Sequence, residues 1–314
     1  MLQLEEPAFV AQARLCAKEP FPPSWSTMEE LCAAADRWMA RLIEERSAEA
    51  ARRGGLVYLV DAIDRAARTN KPENLDKPEV PAKKKQSIVQ GLHRLNQAYF
   101  SYHRFVRILA PVVREVHART GRAARVLELA SGSGEFTLAL ARLAAKKKLP
   151  LSITGSDYIP EYVAEGNRRA KKQGLAVAFR EVNAFAMEGA VSPGEFDVVF
   201  VSQSIHHFSP GQLAMMIAQS STAATTAFVG VDGYRSLPLL GILPVVAAAY
   251  MRPAGVHDAW VTARKLYTQQ ELALAAKIAV PGAPVLVTRS GPFHSVLSVR
   301  FDLACREVIR GQNP

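Results

Sequence analysis

The eleven residues VLELASGSGEF, Val126 to Phe136, constrain this chain more than any other segment. Val126, Leu127 and Leu129 form a short apolar run. It ends at Ala130 in a turn of small residues closing at Gly134, and an amphipathic stretch, FTLALARLAAKKK, follows at once. An apolar strand that turns straight into a helix brings backbone N–H groups and the positive end of a helix dipole to one point, which suits a nucleotide-like ligand. The pattern then repeats. Leu151 to Val163 predicts a second strand ending in Asp157, a turn, and a helix opening near Pro160, where the missing N–H costs nothing. Val177 to Glu188 predicts a third strand ending near Asn183. Phe196 to Phe208 predicts a fourth, fully apolar from Val198 to Val201 as a buried parallel strand should be. Thr226 to Arg235 predicts a fifth, ending at Asp232. Strands alternating with helices predict an α/β fold with an open, doubly wound sheet and a ligand crevice at the carboxyl ends of its strands.

Two ligands compete for such a turn. A dinucleotide asks for G-x-G-x-x-G, the third glycine permitting close helix–strand contact. Here the run is Gly132-Ser133-Gly134-Glu135-Phe136-Thr137, and Thr137 holds the third place. S-Adenosylmethionine has no pyrophosphate and asks only for a tight turn and close backbone approach. Glu128 on the strand can attract the ammonium of its methionine moiety, directly or through water. Asp157, about twenty residues beyond the turn, is placed to accept both hydroxyls of a ribose.

Taken in order and spacing, VLELASGSGEF, SDYIPEYV, VNAFAME and FDVVFVSQSIHHF resemble the class I S-adenosylmethionine-dependent methyltransferases, over roughly Arg125 to Asp302. The resemblance implies a Rossmann-like, mostly parallel seven-stranded sheet carrying an N-terminal helical extension or lid, with S-adenosylmethionine as cofactor. It assigns cofactor contacts to Glu128, Ala130, Ser131, Gly132 and Gly134, to Asp157 and Tyr158, to Asn183, Ala184 and Phe185, and to Ser202 and Gln203. Two positions depart from the family pattern. Ala130 stands where the first glycine of the turn is usual. Asn183 stands where an aspartate often accepts a hydrogen bond from the adenine amino group, which an amide oxygen can also do. The HHF after the fourth strand is similar to small-molecule and quinone-type members. Glu73 to Leu109 and His257 to Ala279 resemble a bacterial subgroup that often accompanies polyketide or related secondary-metabolite pathways.

The remaining sequence divides the chain at about residue 120: a helical N-terminal extension and cap over 1–120, and a methyltransferase domain over 121–314 with a lid insertion near 235–265. Ser26 to Arg53 reads as a capped helix with Leu31, Ala34, Ala35, Trp38, Leu42 and Ile43 on one face, stopped by Gly54-Gly55. LVYLVDAIDRAARTN is a second helix, Thr69 to Lys85 a loop, and Ser87 to Thr120 one or two helices bent near Pro111. Leu237 to Met251 carries no charge but is too short to span a membrane; it reads as a buried helix or lid walling an apolar pocket, with a membrane-surface contact as the alternative. Cys16, Cys32 and Cys305 lack metal-type spacing, which argues for a reducing cytoplasm and against a disulfide framework or a zinc site. The N-terminus, acidic at once, does not read as a secretory signal. A formal charge of +10 sits largely in Lys83 to Lys85, Lys146 to Lys148 and Arg168 to Lys172. It reads as solvated helix ends; no aromatic residues interleave the runs, so nucleic acid is not the expected partner.

Methyl transfer needs an aligned nucleophile and, for a hydroxyl, a base, for which histidine is suited. His206 and His257 are the candidate bases; adjacent His206 and His207 do not easily share a pocket, and neighbours such as His257 and Asp258 seldom pair their own side chains. Tyr102, His207, Asp232, Tyr234, Arg235 and Asp258 are candidate substrate contacts, and no metal is expected. The expectation is O-methylation of a small aromatic or polyketide-like acceptor. C- or N-methylation of a quinone-like or amine acceptor, RNA methylation and a non-catalytic cofactor-binding subunit stay open as alternatives. A helix-mediated homodimer is left open as well.

Overall fold

The computed structural model describes residues 4–291 and 293–303, so Cys305 lies outside the described residues. Five helices precede the sheet: α1 (Glu5–Lys18), α2 (Met28–Arg53), α3 (Gly55–Ala67), α4 (Ala82–Ala98) and α5 (Ser101–Thr120). Then follow β1 (Ala124–Leu129), α6 (Glu135–Lys146), β2 (Leu151–Asp157), α7 (Pro160–Lys172), β3 (Ala178–Glu181), β4 (Phe196–Ser202), α8 (Pro210–Ala223) and β5 (Ala224–Gly233). The chain closes with α9 (Leu237–Ala248), α10 (Pro253–Lys265), α11 (Gln269–Ala279), β6 (Val285–Ser290) and β7 (His294–Arg300).

The seven strands form one sheet in the order β3-β2-β1-β4-β5-β7-β6, with β7 antiparallel to both neighbours. From β1 the chain winds one way through β2 and β3, then crosses back to β4 and β5. The strand order therefore reverses between β1 and β4, and their carboxyl ends open a crevice there. Alternation along the strands feeds two cores. Leu127, Leu129, Val199, Val201 and Phe228 pack on one face with α2, α8 and α11; Val126, Val198, Phe200, Val229 and Val231 pack on the other with α5 and α6.

The start of α2 follows its cap signal: the Thr27 side chain accepts from the Glu30 N–H, and Gly54, at φ 64°, ends the helix. Leu31, Ala35, Trp38 and Leu42 join the sheet's own core. The first two helices are thus a layer of the fold, and of the described residues before the sheet the stretch from Glu73 to Tyr102 reaches over the crevice as a cap. The sequence places a bend at Pro111, but α5 runs through it. The break falls at Phe100, held at φ 53°, between α4 and α5. α9 also departs from expectation. Leu239 and Ala247 are buried, while Val245 is exposed, because one side of the helix walls a cavity and the other meets solvent; Ile242 lines that cavity and is still partly open to solvent.

Candidate active site

Two cavities meet over the carboxyl ends of the strands. The first, about 650 Å3, lies against the glycine turn. Ala130 (φ 50°), Gly132 (φ 53°) and Gly134 (φ 82°) all turn left-handed there. A side chain on Gly134 would strike Phe179, whereas one on Gly132 would meet open space. The Gly132 N–H donates to Asp157 Oδ2 at 2.9 Å and the Ile159 N–H to Oδ1 at 3.1 Å, so the end of β2 is tied to the turn after β1. Burial pushes the Asp157 carboxyl above its ordinary range. The Ser131 hydroxyl is buried without a partner at the same wall.

Glu128 is buried at the floor of this cavity, and burial pushes its pKa up to about 7 against the hydrogen bonds from Thr137 and Ser202. Tyr158, Phe185, Ser202 and Gln203 line the same cavity. Asn183 and Ala184 do not; the Asn183 side chain instead accepts from the Phe185 N–H at 3.0 Å, closing a local turn. Tyr102 also faces this first cavity rather than the second, its hydroxyl 2.8 Å from His93 Nδ1.

The second cavity, about 150 Å3, is largely apolar: Leu239, Ile242, Leu243 and Val246 of α9, Met251, Ile88 and Leu95 form its wall. The two share Leu75, Leu92, Asn96, Gln203 and His207, and Asn96 Nδ2 donates to Gln203 Oε1 at 2.7 Å across the seam. The polar end of the second cavity holds Glu73, His206, His207 and Asp232. His206 Nδ1 lies 2.9 Å from Asp232 Oδ2, and its Nε2 lies 3.5 Å from Glu73 Oε1. His207 Nδ1 lies 3.1 Å from Asp76, and its Nε2 4.0 Å from Glu73 Oε2. Both rings therefore do face one place. A single 3-10 turn, Ile205–His207, stacks them with centroids 4.3 Å apart.

Burial alone pulls His206 down, but Asp232 and Glu73 override it and push its pKa up to about 10. Asp232 and Glu73 lie against its two ring nitrogens, so His206 is held among carboxylates rather than standing free at the cavity wall. His294, neutral because burial and Arg104 push it down to about 4, lines the same cavity with Nδ1 unpartnered.

Other expected contacts lie elsewhere. His257 is half-exposed on α10 and lines neither cavity; it does contact its neighbour, Nδ1 to Asp258 Oδ1 at 3.2 Å. Asp258 lines the second cavity, but its carboxylate accepts from the backbone N–H groups of Asn74 and Leu75, which anchors the loop bearing Glu73. Tyr234 stacks under Arg289, and Arg235 is buried against Asp64 at 2.6 Å, because β5 ends at Gly233 and the next two residues turn away from the crevice. Sequence reasoning missed Glu73, Asp76, Asn96 and His294. A proline-rich loop, a helix and the first residue of an antiparallel strand carry no local signal of a shared site.

Residues 126–225 match the family model for a methyltransferase domain. A demethylmenaquinone methyltransferase of Thermus thermophilus is 32% identical over 92 residues, 29% of this chain and 39% of that protein. An uncharacterized protein of Mycobacterium tuberculosis is 29% identical over 161 residues, 49% of this chain and 54% of that one. The chain spans about half or less of the length of these curated relatives. Among solved structures, the plantazolicin methyltransferase BamL, in complex with a triazolic desmethylPZN analog and SAH, superposes with TM-score 0.56 at 15% identity, over 77% of this chain and 99% of that one. A protein of Nostoc punctiforme, provisionally described as an O-methyltransferase, gives TM-score 0.50 at 18% identity, over 77% of this chain and 67% of that one. These likenesses show the fold. Both crevice edges, the glycine turn and the end of β4, fall inside the matched residues, while Glu73 and Asp232 fall outside them.

Proposed function

We propose that the chain is an S-adenosylmethionine-dependent methyltransferase acting on oxygen of a small, largely apolar acceptor. The observation that carries this reading is the junction of the two cavities: a cofactor-sized one on the glycine turn and Asp157, and an apolar one whose polar end is Glu73, His206 and His207. The residues fit the cofactor. The orphaned Ser131 hydroxyl and the open space at Gly132 leave donors and room at the turn, Asp157 faces them, and Glu128 offers a carboxyl to an ammonium.

Bound S-adenosylmethionine supplies an electrophilic methyl group whose carbon–sulfur bond electrons stay on sulfur. The chain's part is position and proton. The walls of α9 hold the acceptor's apolar body, and the seam at Asn96 and Gln203 aims its reacting atom at the first cavity. Glu73, with His207 held by Asp76, takes the hydroxyl proton as the new carbon–oxygen bond forms. Clamped His206 fixes Glu73 in place.

Calorimetric titration with S-adenosylhomocysteine tests the cofactor half: binding is expected, and Asp157→Ala weakens it at least about tenfold by removing a charged hydrogen-bond acceptor. No binding by folded wild-type protein overturns the reading. Glu73→Gln is expected to lower kcat about a hundredfold on a hydroxylated aromatic acceptor while leaving the cofactor Kd unchanged. A second reading, transfer to a ring carbon of a hydroxylated quinone-type acceptor, draws on the demethylmenaquinone methyltransferase relative. The attachment point of the methyl group in the product, read by NMR, separates the two.

A further inference from the structure

We propose that Glu73, His206 and His207 form a binding site for one divalent transition-metal ion at the polar end of the acceptor cavity. The proposal rests on the function reading for the cavity's role, but its geometry is independent. One carboxylate oxygen and two imidazole nitrogens lie within 4.8 Å of one another, the carboxylate from the loop before α4 and the imidazoles from the 3-10 turn after β4. Metal–ligand bonds of about 2.1 Å require ligand atoms about 3.0–3.5 Å apart, so the set closes on an ion with side-chain shifts of about 1 Å or less.

The second observation is the orientation of the two rings. A metal-binding histidine donates its other ring N–H to a carboxylate or carbonyl, which fixes the tautomer and turns the free nitrogen toward the ion. Here both rings do so. His206 Nδ1 is held by Asp232 at 2.9 Å, and His207 Nδ1 by Asp76 at 3.1 Å. Both Nε2 atoms are thereby turned toward Glu73. Glu73 is in turn positioned by the Thr262 hydroxyl at 2.7 Å and by the loop that Asp258 anchors.

Charge points the same way. Three carboxylates, Glu73, Asp76 and Asp232, surround the two imidazoles, and Lys265, 3.7 Å from Asp76, faces only the outermost of them. A two-histidine, one-carboxylate set suits Zn2+ or Fe2+ and leaves coordination positions open. All three residues line the apolar cavity walled by α9, the place the function reading gives to an oxygen-bearing acceptor. The ligand class for the cavity is therefore a phenol, enol or related oxygen donor able to bind a metal ion through that oxygen.

Untagged full-length protein, stripped with chelator and titrated with Co2+ alone, tests the site. The expected result is one equivalent bound with a visible absorption band. His206→Ala and His207→Ala each abolish the band, Glu73→Gln weakens binding at least about a hundredfold, and Asp232→Asn weakens it about tenfold to a hundredfold. His117→Ala, on α5 away from both cavities, keeps the band. Circular dichroism of each variant shows that it is folded, and the Zn2+ affinity of Glu73→Gln provides a second measure. No stoichiometric Co2+ binding, or binding unchanged in both histidine variants, overturns the proposal. Titration of the same metal-free sample with S-adenosylhomocysteine keeps the two readings apart: cofactor binding without metal binding rejects only the metal site, and metal binding without cofactor binding rejects only the methyltransferase.

Discussion

A carboxyl group at 2% exposure does not ionise freely, and Glu128 at the end of β1 shows the consequence. Its folded pKa, about 7, lies above that of an unfolded chain, because burial penalises the charged form more than Thr137 and Ser202 stabilise it. Such a group imposes no cost below the unfolded pKa. It costs stability progressively as pH rises toward 7, to roughly 3 kcal/mol at the limit. Glu128→Gln is therefore expected to melt no higher than wild type at pH 4 and above it at pH 8, as a thermal-melt series checks. A ligand ammonium beside Glu128 lowers its pKa, so cofactor binding at pH 6 releases close to one proton in the wild type and none in the variant; calorimetry in two buffers of different ionisation enthalpy reads this directly. The place of Glu128 on a strand before a glycine turn was enough to put it at the crevice, and it lines the first cavity. Its protonation was not, since burial is a property of the packed molecule. Ala130 is similar: the sequence shows a small residue, and only the backbone shows that it sits at φ 50°, where an alanine bears about 1 kcal/mol of strain that a glycine would not.

Between elements, a buried ionic network replaces apolar contact. Arg46 of α2 reaches Asp61 at 2.9 Å and Asp64 at 2.7 Å, both on α3; Arg68 after α3 reaches Glu271 of α11; and Arg235 after β5 reaches Asp64. Burial raises the Asp64 carboxyl, but Arg68, Arg235 and Arg46 together draw it down to about 2. Its stabilising share is present above about pH 4 and is lost as pH falls toward 2. Arg46→Leu leaves Asp61 and Asp64 buried with less counter-charge and is expected to lower stability by about 3–5 kcal/mol in urea unfolding. The signal was in the helix pattern: Arg46 continues the stripe Leu31, Ala35, Trp38, Leu42, so it had to be buried. Its partners were not readable, because they come from two other helices, α3 and α11. Arg235 was read as a substrate contact for its place after β5, and this network is what claims it instead.

At the scale of the whole molecule, the N-terminal helices and the sheet fold together. α2 covers α8 and α11, and Leu15, Leu31, Trp38 and Leu42 share one core with Leu129, Val201 and Phe228. Removing residues through Arg53 exposes that face, so the truncated chain is expected to lose its cooperative thermal transition and to bind a hydrophobic dye that full-length protein excludes. The lysine run at the end of α6 points away from the crevice, about 18 Å along the helix from the glycine turn, where the negative end of the dipole favours it. Among the described residues, no helix is long and apolar enough to cross a membrane. By itself the sequence determined the winding of the sheet, the glycine turn and the aspartate opposite it, because strand periodicity, helix capping and turn chemistry act over a few neighbouring residues. Only the tertiary structure decided how the second cavity is closed. A loop held by Asp258 carries Glu73 and Asp76 to two histidines far along the chain, and that meeting depends on packing between distant elements, which no local pattern encodes.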